Sequence, residues 1–245
     1  MKNLIGISGK IGSGKDTVGA IIMALTGTGF GDNKEFEIFK KTGLMPISTN
    51  KSPFVVKKFA GKLKDIVCML IGCTREELED ADFKNTPLDS SWDESHGINT
   101  PRELLQIVGT NCGRDMIHTN IWCNALFADY RPLDDTKRAS MGNVIDYSDC
   151  PFPSWLLTDM RFPNELEAVK SRNGLTIRVN RPRVAVVELA DGTKRLAEAG
   201  EAREHESETA LDDAEFDYTI DNSGTYLELI EKVRDILISE EIIVG

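Results

Sequence analysis

Residues 9 to 17, which read GKIGSGKDT, have the types and spacing of a phosphate-binding loop with the pattern G-x-x-x-x-G-K. Glycines let a backbone curl around an anion with its N–H groups, and a following helix directs the positive end of its dipole at the same place. The lysine of such a loop, here Lys15, bridges the terminal phosphates of a nucleotide. The alternative is a plain surface turn before a helix. The predicted nucleotide-binding residues are Gly9, Gly12, Ser13, Gly14, Lys15, Asp16 and Thr17.

The residue after this lysine departs from the usual pattern. Asp16 stands where Ser or Thr normally helps to hold Mg²⁺, and Thr17 follows it. Asp159 ends a largely apolar run, which is the position of a carboxylate beside the metal. Because Mg²⁺ takes oxygen ligands, Asp16, Thr17 and Asp159 are the candidate ligands. A helix N-terminal charge at Asp16 and a loop carboxylate at Asp159 are the alternatives.

The residue that follows Asp159 bears on the type of reaction. It is Met160, whereas P-loop ATPases that hydrolyse ATP commonly carry a glutamate there to activate water. The guanine-reading pattern NKxD is also absent from the sequence. We therefore expect phosphoryl transfer to a bound acceptor. This chemistry depends on in-line positioning and on cations that neutralise the developing charge, with little acid–base catalysis.

The elements that must hold these residues alternate along the chain. Apolar runs predict strands at 3–8, 54–59, 154–159, 175–180 and 218–221. Helices are predicted at 15–25, 62–71, 114–130 and 163–172. Two further helices are predicted to begin at the capping box of Thr100 and Pro101 and at about Ser223. A hairpin is predicted around Asp191 and Gly192. This order predicts an α/β fold with a mostly parallel five-stranded sheet and helices on both faces.

The composition limits the remaining classes of protein. A net charge of −11 argues against general binding to a nucleic-acid backbone. No run approaches the roughly 20 apolar residues that cross a bilayer, and no signal peptide begins the sequence, so we expect a cytoplasmic protein without a membrane partner. Structural zinc is a poor interpretation, because the five cysteines form no CxxC pair and the sequence has three histidines.

An ordered series of segments resembles the phage-type deoxynucleoside monophosphate kinases. The segments are SGKDT, FAGKLKD, PRELLQIVGTNCGR, TDMRFPNELEAV, VNRP, HESE and DNSG, with insertions at about 31–52 and 131–153. The resemblance implies transfer from ATP, with Mg²⁺, to a deoxynucleoside monophosphate in the cytoplasm, that of the host if the chain is phage-encoded. It implies one P-loop kinase domain over 1–245. Its parts are a core (1–30, 53–60, 154–182 and 213–245), an acceptor-binding helical region (61–130) and a lid (183–212).

The resemblance also assigns acceptor-binding residues. Lys64 in FAGKLKD and Arg102 in PRELLQ are candidates to hold the acceptor phosphate. Gln106 lies one helical turn beyond Arg102 and is a candidate to read the base. Arg114, near a predicted helix start, is a candidate to reach a phosphate. Solvated helix charges are the alternative for Lys64, Arg102 and Gln106.

Three further residues take roles near the transferred phosphate by the same resemblance. Arg161, two positions past the Asp159 carboxylate, is a candidate for charge stabilisation or acceptor contact. Glu165 is expected to orient Arg161 or to act as a first-turn charge. Arg181, before a proline, is the candidate for the lid or the adenine side. Arg195 or Arg203 are open as the lid arginine.

Other functions compete with this interpretation. Phosphomevalonate kinase and dephospho-coenzyme A kinase share the loop, an acceptor cation and a lid. A regulator without turnover would keep the loop but would not need the arginine series. His205 in HESE is best interpreted as part of a solvated charged helix. The nucleobase is not coded by any single residue, and both a monomer and a homodimer stay open.

Overall fold

A parallel five-stranded sheet forms the centre of the unit that carries the glycine loop. The computed structural model describes residues 2–27, 52–92, 98–132, 152–182 and 209–244, and the backbone of 184–188 and 194–198. The strands in chain order are β1 (Leu4–Ser8), β2 (Val55–Lys57), β3 (Trp155–Met160), β4 (Leu175–Asn180), β5 (Val184–Glu188), β6 (Lys194–Glu198) and β7 (Tyr218–Asp221). The sheet order is β2-β3-β1-β4-β7, and every pairing in it is parallel.

Nine helical segments accompany these strands within the described residues. They are α1 (Lys15–Leu25), α2 (Gly61–Ile71), α3 (Arg75–Glu79), α4 (Ala81–Asn85), α5 (Pro101–Gln106), a π-helix (Ile107–Ile117), α6 (Ile121–Phe127), α7 (Pro163–Lys170) and α8 (Tyr226–Ser239). The chain divides into two compact units, one of residues 1–57 with 132–245 and the other of residues 58–131. None of the helices described is long and apolar enough to cross a membrane.

Strand β1 is buried on both faces because helices cover both sides of the sheet. Ile5 and Ile7 belong to a buried apolar cluster that includes residues of α1 and α8, such as Ile22 and Val233. Gly6 faces the other side, where an added Cβ would lie 3.2 Å from Val169 of α7. Side chains alternate along a strand, so one apolar run serves two layers. The predicted α/β class, with a parallel five-stranded sheet between helices, is confirmed.

The unit of residues 58–131 is helical and has its own core. Leu63, Val67, Leu78, Leu104 and Trp122 form a buried apolar cluster within it. Its helix α5 begins at the predicted capping box, where the Thr100 hydroxyl accepts from the backbone of Glu103 and the Glu103 carboxylate accepts from the backbone of Thr100. The start of this helix is therefore confirmed.

The predicted continuous helix over 114–130 is wrong. The chain from Ile107 to Ile117 is a π-helix, His118 is extended, and α6 begins only at Ile121. The indole N–H of Trp122 donates to the Gly109 carbonyl at 2.8 Å. An added Cβ on Gly113 would lie 2.8 Å from the same indole ring. This close packing of Trp122 on two glycines belongs to the tertiary structure, so the apolar periodicity did not reveal the break.

The two strands of the hairpin predicted in the segment 183–212 are confirmed. β5 and β6 pair antiparallel as a separate two-stranded sheet, with Val186 opposite Leu196. The turn at Asp191 and Gly192 lies outside the described residues. The same holds for Arg203, His205, the side chain of Arg195 and nearly all of the two predicted insertions. The division of one domain into core, acceptor-binding region and lid stays a prediction.

Candidate active site

The glycine loop joins the end of β1 to the start of α1 in a tight turn. Gly12 and Gly14 adopt φ values of 77° and 94°, in the left-handed region that favours glycine. The N–H of Ser13 donates to the Lys10 carbonyl at 3.1 Å and closes the turn. Gly14 is the N-cap of α1 and has no side chain to cap the first N–H groups of the helix. This arrangement fits an anion.

Lys15 and Ser13 are buried in this loop. The Lys15 side chain belongs to the first turn of α1, and the residue is 8% exposed. The Ser13 hydroxyl is buried and, among the described residues, forms no hydrogen bond. An added Cβ on Gly9 would lie 2.6 Å from the Val179 carbonyl, so only glycine lets β4 pack this closely on the loop. The loop, its helix and a buried cation together fit the phosphates of a nucleotide.

Two of the predicted magnesium ligands are connected through β3. The Thr158 hydroxyl donates to Oδ1 of Asp16 at 3.0 Å, and Asp159 is the next residue on the strand. An added Cβ on Gly19 would lie 2.8 Å from the Thr158 methyl group, which shows how closely α1 approaches β3. Among the described residues no three potential metal ligands cluster. Because Mg²⁺ usually keeps several waters and takes one or two carboxylates, this donor set fits it.

A cationic network beside the loop was missed by the sequence analysis. Arg178 of β4 is 8% exposed and donates to the Ser8 hydroxyl at 2.9 Å and to Oδ1 of Asp212 at 2.5 Å. The other oxygen of Asp212 lies 3.1 Å from Nζ of Lys10, inside the loop. The available signal was an arginine at an inward position of the apolar strand TIRVN, since a buried guanidinium requires a partner.

Asn222 is a second residue that the sequence analysis missed. It follows β7 in the DNSG segment, and its side-chain amide donates to the Ser13 carbonyl at 2.8 Å. Its backbone N–H donates to the Asn180 carbonyl at 2.7 Å, which extends the pairing of β7 with β4. The available signals were its place directly after a strand of the parallel sheet and its presence in the DNSG segment.

Glu165 accepts hydrogen bonds from the backbone between β3 and α7. Its carboxylate is buried, and one oxygen accepts from the backbone N–H groups of Arg161 at 2.7 Å and Phe162 at 3.1 Å. It thereby caps the start of α7 and fixes the backbone that carries Arg161. Arg161 is half-buried directly after β3, and Arg181 is exposed directly after β4.

Lys64 forms an ion pair within the helical unit. Its Nζ lies 2.7 Å from both oxygens of Glu79, and Arg75 and Lys84 approach the same carboxylate at 3.3 and 3.9 Å. Burial opposes ionisation of Glu79, but the hydrogen bond and charge of Lys64, with the other two cations, hold its pKa below the ordinary value.

The other predicted acceptor residues lie on α5 and the π-helix. Arg102 donates from Nε to the Asn85 side chain at 2.8 Å, and Gln106 is exposed on the same short helix. Arg102 is thereby joined to α4, the short helix that also carries Lys84. Arg114 is half-buried in the π-helix.

The fold and the loop together resemble one class of protein. A parallel α/β sheet with a glycine loop between β1 and α1, and with a carboxylate near the end of β3, is consistent with the P-loop kinase fold.

Comparison with known proteins agrees with this class. The chain is 27% identical over 189 residues to the mimivirus protein named "Putative deoxynucleotide monophosphate kinase". This match covers 74% of the present chain and 76% of the mimivirus protein. It is 34% identical over 76 residues to the deoxynucleoside-5'-monophosphate kinase of Escherichia phage T5. That match covers 31% of this chain and 24% of the T5 protein. No family model matches the chain. The predicted resemblance to deoxynucleoside monophosphate kinases, which are phosphotransferases, is confirmed.

Proposed function

We propose that this protein transfers the γ-phosphoryl group of ATP to a deoxynucleoside monophosphate and so forms ADP and a deoxynucleoside diphosphate. The observation that carries the proposal is the buried Lys15 in the first turn of α1, behind a loop whose Gly12 and Gly14 are left-handed. The names of the two viral relatives support a nucleotide as the acceptor.

The chemistry requires positioning more than proton transfer. An oxygen of the acceptor phosphate attacks the γ-phosphorus, and the bond from that phosphorus to the bridging oxygen of ADP breaks in line. Lys15 and the first N–H groups of α1 would hold the phosphates of the donor. Asp16, Thr17 and Asp159 would hold Mg²⁺, which neutralises phosphate charge when bound. Arg161 and Arg181 are the proposed cations for the charge that develops during transfer.

The acceptor would bind through the helical unit. Lys64 and Arg102 are the proposed phosphate ligands, with Gln106 at the base and Arg114 as a further cation. The ion pairs of Glu79 support this assignment for Lys64, because three cations gather there against one carboxylate. In this proposal the incoming phosphate competes with Glu79 for Lys64.

A panel of acceptors tests this function. ADP release from ATP and Mg²⁺ is followed with dTMP, dGMP, dCMP, dAMP, UMP and modified pyrimidine monophosphates, and with phosphomevalonate and dephospho-coenzyme A as competing acceptors. We expect release only with one or more of the deoxynucleoside monophosphates. Activity confined to phosphomevalonate or dephospho-coenzyme A would replace the proposed acceptor. ATP binding without turnover on any acceptor would indicate a regulator.

A further inference from the structure

The side-chain amide of Asn222 fixes one peptide group of the glycine loop. It donates to the Ser13 carbonyl at 2.8 Å, and its own backbone is held by the Asn180 carbonyl at the end of β4. The residues on either side of Ser13 are Gly12 and Gly14, both left-handed. Because glycine has no Cβ, the peptide between Ser13 and Gly14 meets little steric resistance to rotation. The hydrogen bond from Asn222 therefore favours the observed orientation over a rotated one.

The orientation that Asn222 selects has a direct consequence for anion binding. A trans peptide is planar, so its C=O and N–H groups point in opposite directions. When the Ser13 carbonyl points at Asn222, the Gly14 N–H points away from it. A rotated peptide would present a carbonyl oxygen where the loop must present a donor, and it would repel a phosphate.

We propose that Asn222 is a positioning residue that holds the Ser13–Gly14 peptide with the Gly14 N–H directed at the bound phosphates. The inference rests on the proposed use of this loop for a nucleotide. The tightness of the contact supports it, since an added Cβ on Gly14 would collide with the Asn222 amide. A side chain at position 14 would therefore displace the Asn222 amide from the loop.

Two substitutions and a matched control test the role of Asn222. Asn222→Ala removes the donor without adding charge. Asn222→Asp keeps the shape, but its carboxylate attracts the Gly14 N–H and so favours the rotated peptide. The control is Asn3→Ala, because the Asn3 amide also donates to a backbone carbonyl, that of Phe152 at 3.0 Å, from the opposite end of β1. ADP affinity is measured by calorimetry, and the Gly14 amide resonance is recorded by ¹⁵N NMR in the nucleotide-free protein.

We expect Asn222→Ala to weaken ADP binding about tenfold, Asn222→Asp to weaken it further, and Asn3→Ala to leave it within about twofold. The Gly14 resonance should move in both Asn222 variants before any nucleotide is added. Unchanged affinity, or an unchanged Gly14 resonance, would overturn the proposed role. Wild-type protein that binds ADP but phosphorylates no deoxynucleoside monophosphate would overturn the proposed function alone, and wild-type protein that binds no ADP would overturn both.

Discussion

The hydroxyl of Thr158 donates to Oδ1 of Asp16 at 3.0 Å and so joins β3 to the first turn of α1. Asp16 occupies the position where a P-loop usually has Ser or Thr. Thr158 immediately precedes Asp159, so one strand end both orients one candidate magnesium ligand and supplies another. Residues that orient metal ligands commonly change metal affinity when they are altered.

Thr158→Val should raise the Mg²⁺ concentration needed for half-maximal activity about tenfold, because the valine has the same shape but no hydroxyl to hold Asp16. The matched control is Thr176→Val. Thr176 lies on β4 rather than β3, and its hydroxyl likewise donates to a carboxylate, that of Asp217, at 2.7 Å. Both substitutions should cost about 1 kcal/mol of unfolding free energy. Equal Mg²⁺ dependence in the two variants would contradict the role of Thr158.

Lys15→Ala should lower kcat about a thousandfold, because in the proposed reaction this loop cation faces the charge that develops on the transferred phosphate. Unfolding temperature and kcat are measured on the same preparations. Lys2→Ala, which removes a partly buried ion pair with Glu240 at 3.8 Å, is the control and should keep wild-type activity. Near wild-type turnover by a folded Lys15→Ala protein would refute the proposed role of the loop.

Asp212→Ala should lower the free energy of unfolding by about 2 kcal/mol, because it leaves the buried guanidinium of Arg178 with one fewer charged partner. Lys10→Ala removes the other, half-exposed ion pair of Asp212 and should cost less than about 1 kcal/mol. Urea denaturation of both variants measures the difference. Equal losses would show that Asp212 does not serve mainly to compensate Arg178.

Stability should fall in acid partly through the cap of α8. The Thr225 backbone N–H donates to Glu228 at 2.7 Å, and this bond, with the Thr225 side chain, holds the pKa of Glu228 below its ordinary 4.5. A lowered pKa contributes stability that is present above 4.5 and is lost as the pH falls through the folded value. Glu228→Gln should therefore flatten the decline in unfolding free energy below pH 4.5, measured by denaturant titration at several pH values. A decline as steep as that of the wild type would exclude this contribution.

Local signals in the sequence were sufficient for much of the fold. The bounds of α1, β4 and β7 agree with the predicted ranges, and the capping box at Thr100 begins α5 where expected. Caps, glycines and apolar periodicity act over a few residues, and their effects can be read from the chain itself.

The contacts around the loop could not be predicted in this way. Arg178 and Asp212 are separated by 34 residues, and Ser13 and Asn222 by 209. Such pairs are set by strand order, which places β4 beside β1 and β7 beside β4. The break before α6 likewise depends on the packing of Trp122 against the π-helix. Lys64 was predicted as a phosphate ligand, whereas its pairing with Glu79 depends on how α3 packs on α2.

Transfer of labelled phosphate from ATP to a deoxynucleoside monophosphate is the reaction that this protein is proposed to catalyse, and it can be measured directly. The protein is incubated with Mg²⁺, [γ-³²P]ATP and each deoxynucleoside monophosphate in turn, and the products are separated by chromatography. We expect label in a deoxynucleoside diphosphate with wild-type protein and a near-complete loss of that product with Lys15→Ala. Label that appears only as inorganic phosphate, or stays in ATP with every acceptor, would contradict the proposed function.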